Sequence, residues 1–225
     1  MSLSNKSRSL YKLILSQVYK PVLSRFLSQT RTYSYRDITI KILPGVFHPG
    51  FFSSTKILLA ELEKLNINNK TFLELGAGSG IISIAAAKKN ATVTATDISN
   101  TSVENIQLNA TMNGVQLQTI LSDLFDKIPP QQFDFIFINP PYYKGAIKKE
   151  ADHAWYAGDD FQYFRKLFSQ LNSYMRTETI CLMILSEECD LDAIQKIAAQ
   201  HAVHLKEVFS KKSLGERQIV FRLSI

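Results

Sequence analysis

The chain has 225 residues, 45% of them hydrophobic and 20% charged, the proportions of an ordinary globular protein with one sizeable core. The sequence has no run of roughly 18 apolar residues that would span a membrane, and its two cysteines, Cys181 and Cys189, show neither disulfide density nor metal-ligand spacing. We therefore expect a cytoplasmic protein with no metal site and no membrane association.

The net charge of +6 is concentrated at the N-terminal end. Residues 1–45 carry eight Lys or Arg side chains and one acid, Asp37, which gives this segment a charge of +7 and residues 46–225 a charge of −1. A patch for RNA or another polyanion, a transit peptide and a solvated helix face would each have this composition. The alternation of Ile38, Ile40 and Ile42 disfavours a transit peptide, because it continues the segment into a folded strand.

The apolar pattern along the chain predicts two units. Residues 1–45 form a basic appendage, with helical spacing over 10–18 and 22–27 and a strand at 38–42. Residues 46–225 form the main domain, which opens with a helix that Ser53, Ser54 or Thr55 caps. Its predicted strands are 71–75, 91–96, 118–121, 133–138, 180–185, 205–209 and 219–223. Its other predicted helices are 81–89, 103–112, 161–174 and 191–200. Strands that alternate with helices predict an α/β fold with a mainly parallel sheet, and the short connection between the last two strands predicts an antiparallel pair.

A glycine-rich turn and an acid follow the first two strands of the main domain. The turn is Gly76-Ala77-Gly78-Ser79-Gly80, and Asp97 comes about twenty residues later, the spacing of a site for an adenosine-type cofactor whose ribose hydroxyls the acid binds. A nicotinamide dinucleotide fits less well, because its fingerprint needs a third glycine where Ile81 stands. Glu74, just before the turn, would repel a pyrophosphate but suits a cationic ligand or an ammonium group.

The next two strands also end in polar groups. One ends at Asp123, and the apolar run at 133–138 ends at Asn139-Pro140-Pro141-Tyr142. Two prolines terminate a sheet ladder and stiffen the turn. The turn presents the Asn139 side-chain oxygen and a proline carbonyl as acceptors, with the Tyr142 ring behind them. This arrangement suits a planar NH2 group, whose hydrogens need acceptors and whose π face needs a stacking partner.

Together these motifs resemble those of the class I S-adenosylmethionine-dependent methyltransferases, with coverage from about Pro49 to Ile225. The tetrapeptide Asn139-Pro140-Pro141-Tyr142 is similar to the signature of enzymes that methylate the amino group of adenine or the amide of glutamine. Within that group the chain most resembles the HemK-type protein-glutamine methyltransferases. Two further stretches are similar to that family, namely residues 155–160 and the Gly-Glu-Arg-x-x-Val pattern that begins at Gly215.

The resemblance implies a Rossmann-like sheet of seven mostly parallel strands with an antiparallel C-terminal strand, and S-adenosylmethionine as the cofactor. It implies a cofactor site formed by Glu74, Gly76, Ala77, Gly78, Gly80, Asp97, Ile98, Asp123, Leu124 and Asn139, with Asp123 near the adenine amino group. The implied catalytic residues are Asn139, Pro140 and Tyr142, and substrate contacts are expected from Asn139, Pro141, Tyr142 and Tyr143.

Three hypotheses for the function follow. The first is methylation of a protein glutamine, as in a release factor, and the second is methylation of an adenine N6 in rRNA or tRNA. The third is a non-catalytic module that binds a cofactor or RNA. This hypothesis is disfavoured, because binding alone does not explain the presence of Asn139-Pro140-Pro141-Tyr142. The sequence does not define the oligomeric state.

Overall fold

The computed structural model describes residues 28–51, 53–146, 156–213 and 216–225. The helices predicted over 10–18 and 22–27 lie outside these ranges. In chain order the strands are β1 (Arg31–Tyr35), β2 (Ile38–Ile42), β3 (Thr71–Leu75), β4 (Thr92–Asp97), β5 (Gln118–Leu121), β6 (Phe135–Ile138), β7 (Ile180–Ser186), β8 (His204–Ser213) and β9 (Glu216–Ser224). The helices are α1 (Ser53–Glu63), α2 (Ile81–Lys88), α3 (Asn100–Met112), α4 (Gln162–Leu171) and α5 (Leu191–Gln200).

Seven of the strands form one sheet in the order β5-β4-β3-β6-β7-β9-β8. The first five are parallel to one another, and β9 runs antiparallel to both β7 and β8. This confirms the predicted mostly parallel sheet with an antiparallel C-terminal strand. Among the described residues, no helix combines the length and the apolar character that crossing a bilayer requires.

Helices cover the sheet on both faces, so the central strands are mostly apolar. Alternate residues of β3 point to opposite sides: Phe72 belongs to a core shared with α1 and α2, whereas Leu73 and Leu75 belong to a core shared with α4 and α5. The apolar residues on which the strand and helix predictions rest are therefore buried in two cores, one on each face of the sheet. Their regular spacing explains why the sequence predicts these elements.

Most predicted bounds agree with the structure, and the differences occur where polar groups replace the ladder. The strand predicted from residue 133 begins at Phe135, because the Phe133 N–H donates to the Tyr174 carbonyl and the Asp134 N–H to Thr71 Oγ1. The helix predicted to Tyr174 ends at Leu171 and continues as a 3-10 turn. The predictions for β8 and β9 were too short, because exposed polar residues continue their pairing beyond the apolar positions.

The sequence did not predict β1, whose residues are mostly polar and at most half-buried. This strand pairs antiparallel with β2 in a separate two-stranded sheet. The inner residues of β2, Ile38, Ile40 and Ile42, are buried in the core shared with α1 and α2. The division of the chain at residue 45 remains a prediction.

Three asparagines, two on α3 and one at its C-terminal cap, attach β2 to this helix. Asn113 exchanges two hydrogen bonds with the Thr39 backbone, Asn109 exchanges two with Lys41, and Asn105 bonds the Lys41 carbonyl and the Leu43 N–H. Four residues of helix rise about 6 Å and two residues of strand about 6.6 Å, so side chains at i, i+4 and i+8 match alternate backbone groups of a strand. We call Asn105, Asn109 and Asn113 the amide ladder.

Replacing Asn109 with Ala should destabilise the protein by about 2 kcal/mol or more, because it removes the side-chain partners of the buried Ser79 carbonyl and of the partly buried Lys41 N–H. Asn109 is fully buried, and its amide also donates to the Ser79 carbonyl at 2.9 Å. Urea unfolding checks this, with Asn113→Ala as the matched control. Asn113 is only half-buried, so water can replace its bonds and the loss should be less than half as large. Equal losses in the two variants would contradict the prediction.

Candidate active site

The register of the sheet brings three of the predicted motifs side by side. Leu75 at the end of β3 pairs with Thr96 of β4 on one side and with Ile138 of β6 on the other. The next residues along these strands, Gly76, Asp97 and Asn139, therefore meet at one edge. A cavity of about 600 Å³ opens there.

The sequence-predicted site residues lie together at this cavity with one exception. Those that line it are Glu74, Gly76, Ala77, Gly78, Asp97, Ile98, Asp123, Leu124, Asn139, Pro140, Pro141, Tyr142 and Tyr143. Gly80 is the exception, and its role is in packing. A Cβ there would lie 3.1 Å from Ile106 of α3, and its φ of 76° favours glycine.

The glycine-rich turn gives the cavity an open floor. Gly76 has a φ of 69°, and a Cβ added there would meet no protein atom within 4 Å. Since Gly76 lines the cavity, such an atom would occupy space that a ligand can use. The turn is held from below by the Ala77 N–H, which donates to the Thr96 carbonyl at 2.9 Å.

Glu74 is a buried carboxyl at the base of the cavity. It is 5% exposed, and its Oε2 accepts hydrogen bonds from the Ser83 N–H at 2.7 Å and from the Ser83 hydroxyl. Burial raises the pKa of Glu74 to about 8, against these two hydrogen bonds, which favour the charged form. A positively charged ligand in the cavity would stabilise the ionised form of Glu74.

Asp97 is fixed by the backbone around it. Its Oδ2 accepts from the Gly78 N–H at 2.9 Å and its Oδ1 from the Ser99 N–H at 3.0 Å. Burial raises the pKa of Asp97, and the bonds from Ser99 and Gly78 work in the opposite direction. Each carboxylate oxygen has a further lone pair, so the residue can also accept from hydroxyl groups of a ligand.

Asp123, two residues after the end of β5, also lines the cavity and is ion-paired. Lys166 of α4 donates to its Oδ2 at 2.5 Å and to Asp126 at 2.6 Å. Leu124 next to it is buried and has a φ of 53°, in the left-handed region. The sequence analysis expected Asp123 but not its lysine partner.

The tetrapeptide Asn139-Pro140-Pro141-Tyr142 forms a wall of the cavity next to the glycine-rich turn. In the described part of the chain, the Asn139 side chain has no hydrogen-bond partner, so its acceptor is available to a ligand. The Tyr142 and Tyr143 rings lie 4.9 Å apart, centroid to centroid, at 58°. Burial raises the pKa of both hydroxyls, that of Tyr143 to about 12, so both remain neutral donors at physiological pH.

A second segment closes this wall. The Ala157 N–H donates to the Tyr143 carbonyl at 2.8 Å, and Tyr143 and Tyr156 form an isolated β-bridge. Tyr156 lines the cavity and lies over Gly145, where a Cβ would be 2.5 Å from its ring. Only glycine therefore fits at 145.

Sequence reasoning missed several residues that line the cavity. Phe47 and Pro49 enter from the loop after β2, and Tyr163 and Lys166 from one face of α4. Burial raises the pKa of Tyr163, to which the carboxylates of Asp97 and Asp123 add. The helix itself was predicted, but which of its faces meets the cavity depends on packing that one sequence does not encode locally.

The fold and the site define a class, namely Rossmann-like α/β proteins with an adenosine-type site at the carboxyl edge of the sheet. The sequence model of the methyltransferase small domain matches residues 37–156, which include the glycine-rich turn, Asp97, Asp123 and Asn139-Pro140-Pro141-Tyr142. The chain belongs to the methyltransferase small domain family.

Curated relatives have different substrates. The chain is 32% identical over 177 residues to the release factor glutamine methyltransferase of Lactococcus lactis. This alignment covers 77% of this chain and 57% of that protein. It is 35% identical over 136 residues to the ribosomal RNA small subunit methyltransferase C of Buchnera aphidicola, which covers 59% of this chain and 38% of that protein. The chain thus spans about two fifths to somewhat more than half of the length of these relatives.

A solved structure has the same fold. The 16S rRNA N2 methyltransferase of T. thermophilus, in complex with AdoMet and guanosine, superposes with a TM-score of 0.60 at 21% identity. The match covers 87% of this chain and 51% of that chain. This likeness shows the fold alone.

The raised pKa of Glu74 leads to a prediction about how the free energy of unfolding depends on pH. Burial raises the pKa of Glu74 in the folded protein to about 8 from an ordinary value of 4.5. The neutral carboxyl therefore contributes fully to the free energy of unfolding below pH 4.5, and this contribution is lost as the pH rises through 8. Between pH 5.5 and 8.5 the wild type should lose on the order of a few kcal/mol of unfolding free energy that Glu74→Gln retains.

Urea unfolding of both proteins at the two pH values measures this difference. Glu104→Gln, which alters an exposed carboxylate on α3, is the control and should behave as the wild type does. If Glu74→Gln and the wild type lose the same free energy over this range, the raised pKa is wrong.

Proposed function

We propose that this protein is an S-adenosylmethionine-dependent N-methyltransferase that acts on a planar NH2 group. The observation that carries the proposal is the pairing of Leu75 with Ile138, which sets the glycine-rich turn and Asn139 side by side in one cavity. A cofactor on the first and an NH2 group on the second would lie in contact.

The residues present fit the cofactor. Gly76 leaves room where any other residue would place a Cβ, Asp97 and Asp123 offer acceptors for ribose hydroxyls and an adenine amino group, and Glu74 offers a carboxyl to a positively charged group. When bound, S-adenosylmethionine supplies an electrophilic methyl group on a sulfonium sulfur. The T. thermophilus structure, solved with AdoMet, supports this choice.

The chain's own contribution is to position and polarise the nucleophile. An amide or adenine NH2 is a poor nucleophile because its lone pair is delocalised. The Asn139 side-chain oxygen and the Pro140 carbonyl accept the two NH2 hydrogens and hold the nitrogen in line for attack. These acceptors bind more strongly as positive charge develops on the nitrogen, so they favour the transition state over the ground state.

The aromatic residues fix the plane of the substrate. Tyr142 packs partly buried against the core shared with α4 and α5, and the Tyr143 ring tilts against it. A ring held in this way has little rotamer freedom left to lose, so it can stack on or wall in a planar group at small entropic cost. The alkylated nitrogen sheds its proton readily, so no dedicated base is required.

A protein glutamine is the substrate we favour. The Lactococcus relative, which matches over the largest share of this chain among those described above, is named a release factor glutamine methyltransferase. An adenine N6 in RNA is the alternative, since the Buchnera relative is named a ribosomal RNA methyltransferase and residues 1–45 carry a charge of +7. Both are partners that a cytoplasmic protein meets, and a cytoplasmic location remains our prediction.

Asn139→Ala should lower the rate of methyl transfer by on the order of a hundredfold or more, because one of the two NH2 acceptors is lost. Binding of S-adenosylhomocysteine, measured by calorimetry, should remain within a few-fold of wild type. Tyr143→Phe is the control, since it keeps the wall and should retain most activity. Near-normal turnover by Asn139→Ala would refute the proposed role.

Methyl transfer into a cell extract separates the two substrate classes. With radiolabelled S-adenosylmethionine, we expect the label in the protein fraction, as methylated glutamine after digestion. Label in the RNA fraction would instead support the adenine alternative. If the protein binds S-adenosylhomocysteine but labels neither fraction, the non-catalytic reading is favoured.

A further inference from the structure

A chain of hydrogen bonds leads from the last turn of α4 to Asp123 in the cavity. Gln170 donates to Asp126 Oδ1 at 2.8 Å, Lys166 donates to Asp126 Oδ2 at 2.6 Å, and Lys166 also donates to Asp123 Oδ2 at 2.5 Å. Tyr163, Lys166 and Gln170 are spaced i, i+3 and i+7, so they share one helix face.

The two carboxylates differ in what they have left to offer. Both oxygens of Asp126 are engaged within this network, and Asp126 is not among the residues that line the cavity. Asp123 lines the cavity, and its contacts within the described residues use only Oδ2. Asp126 is therefore the anchor of Lys166, whereas Asp123 keeps Oδ1 for a ligand.

The charges are consistent with a lysine held by two acids. Burial would lower the pKa of Lys166, but the hydrogen bonds to Asp123 and Asp126 raise it. Hydrogen bonds from Lys166 and Gln170 lower the pKa of Asp126. Lys166 and Asp126 thus both remain charged over the physiological pH range.

We propose that Lys166, anchored by Asp126, is a positioning residue that orients Asp123 and thereby sets the preference of the site for an adenine base with a free amino group. This inference rests on the proposed function. With Oδ2 held by Lys166, Asp123 has less freedom to rotate, and its Oδ1 is left to accept from a ligand in the cavity. A 6-oxo base would present an oxygen to that acceptor and be repelled.

Two effects of removing Lys166 oppose each other. The loss of a positive charge makes Asp123 a stronger acceptor, and the loss of the hydrogen bond lets Asp123 rotate. Asp123 is about half exposed, so water screens the first effect and the second dominates. The expected result is weaker and less selective binding.

The test compares S-adenosylhomocysteine with S-inosylhomocysteine, in which an oxygen replaces the adenine amino group. Calorimetry should show that the wild type prefers the first ligand. Asp126→Asn keeps the size of the side chain and cannot act by direct contact, since Asp126 is outside the cavity lining. We expect Asp126→Asn and Lys166→Ala each to reduce the preference about threefold to tenfold, mainly through weaker binding of S-adenosylhomocysteine.

Lys166→Arg should restore most of the preference, because it preserves the donor. Arg165→Ala is the matched control, since Arg165 is on the same helix and pairs only with Asp160 among the described residues. An unchanged preference in Lys166→Ala and Asp126→Asn overturns the inference, as does an equal loss for both ligands. A wild type that binds neither ligand overturns the proposed function and this inference with it.

Discussion

β3 is paired in parallel with β4 on one side and with β6 on the other. From β3 the strand order runs outwards in both directions, to β4 and β5 on one side and to β6 and β7 on the other. Parallel pairing places all three carboxyl ends on one edge, and the diverging connections keep helices from covering it. The crevice therefore exists before any particular side chain is placed in it. Gly76, Asp97 and Asn139 contribute chemistry to a space that the strand order creates.

The same pairing forces a polar group into the interior. Both faces of β3 are buried, so Glu74 lies beneath α2, where a carboxyl is tolerated only with partners. Ser83 of α2 provides two hydrogen bonds, and Glu74 also lines the cavity. The carboxyl thus joins β3 to the first turn of α2 and lines the ligand cavity at the same time.

What the sequence predicts well is local. The bounds of β3, β5 and α5 agree with prediction because strand and helix periods are strong where the ends are marked by turns, as at Gly76 after β3. Residues on the strand ends could be placed in one site because parallel strands end together.

What the sequence did not predict depends on contacts between distant segments. β1 is too polar to be distinguished from a loop, and it becomes a strand only because β2 lies beside it. Lys166 follows Asp123 by 43 residues, and only the rotation of α4 about its axis brings them together. Tyr156 and Gly145 are likewise matched by shape rather than by any motif.

The amide ladder has a consequence for how this surface can vary. The three asparagines bond the backbone of β2 and make no use of its side chains. The outward residues Thr39 and Lys41 remain exposed, so neither their size nor their charge enters the attachment. The charge of this exposed face can therefore change by substitution at Thr39 and Lys41 without loss of the hydrogen bonds that hold β2, while Phe47 and Pro49 in the following loop line the cavity.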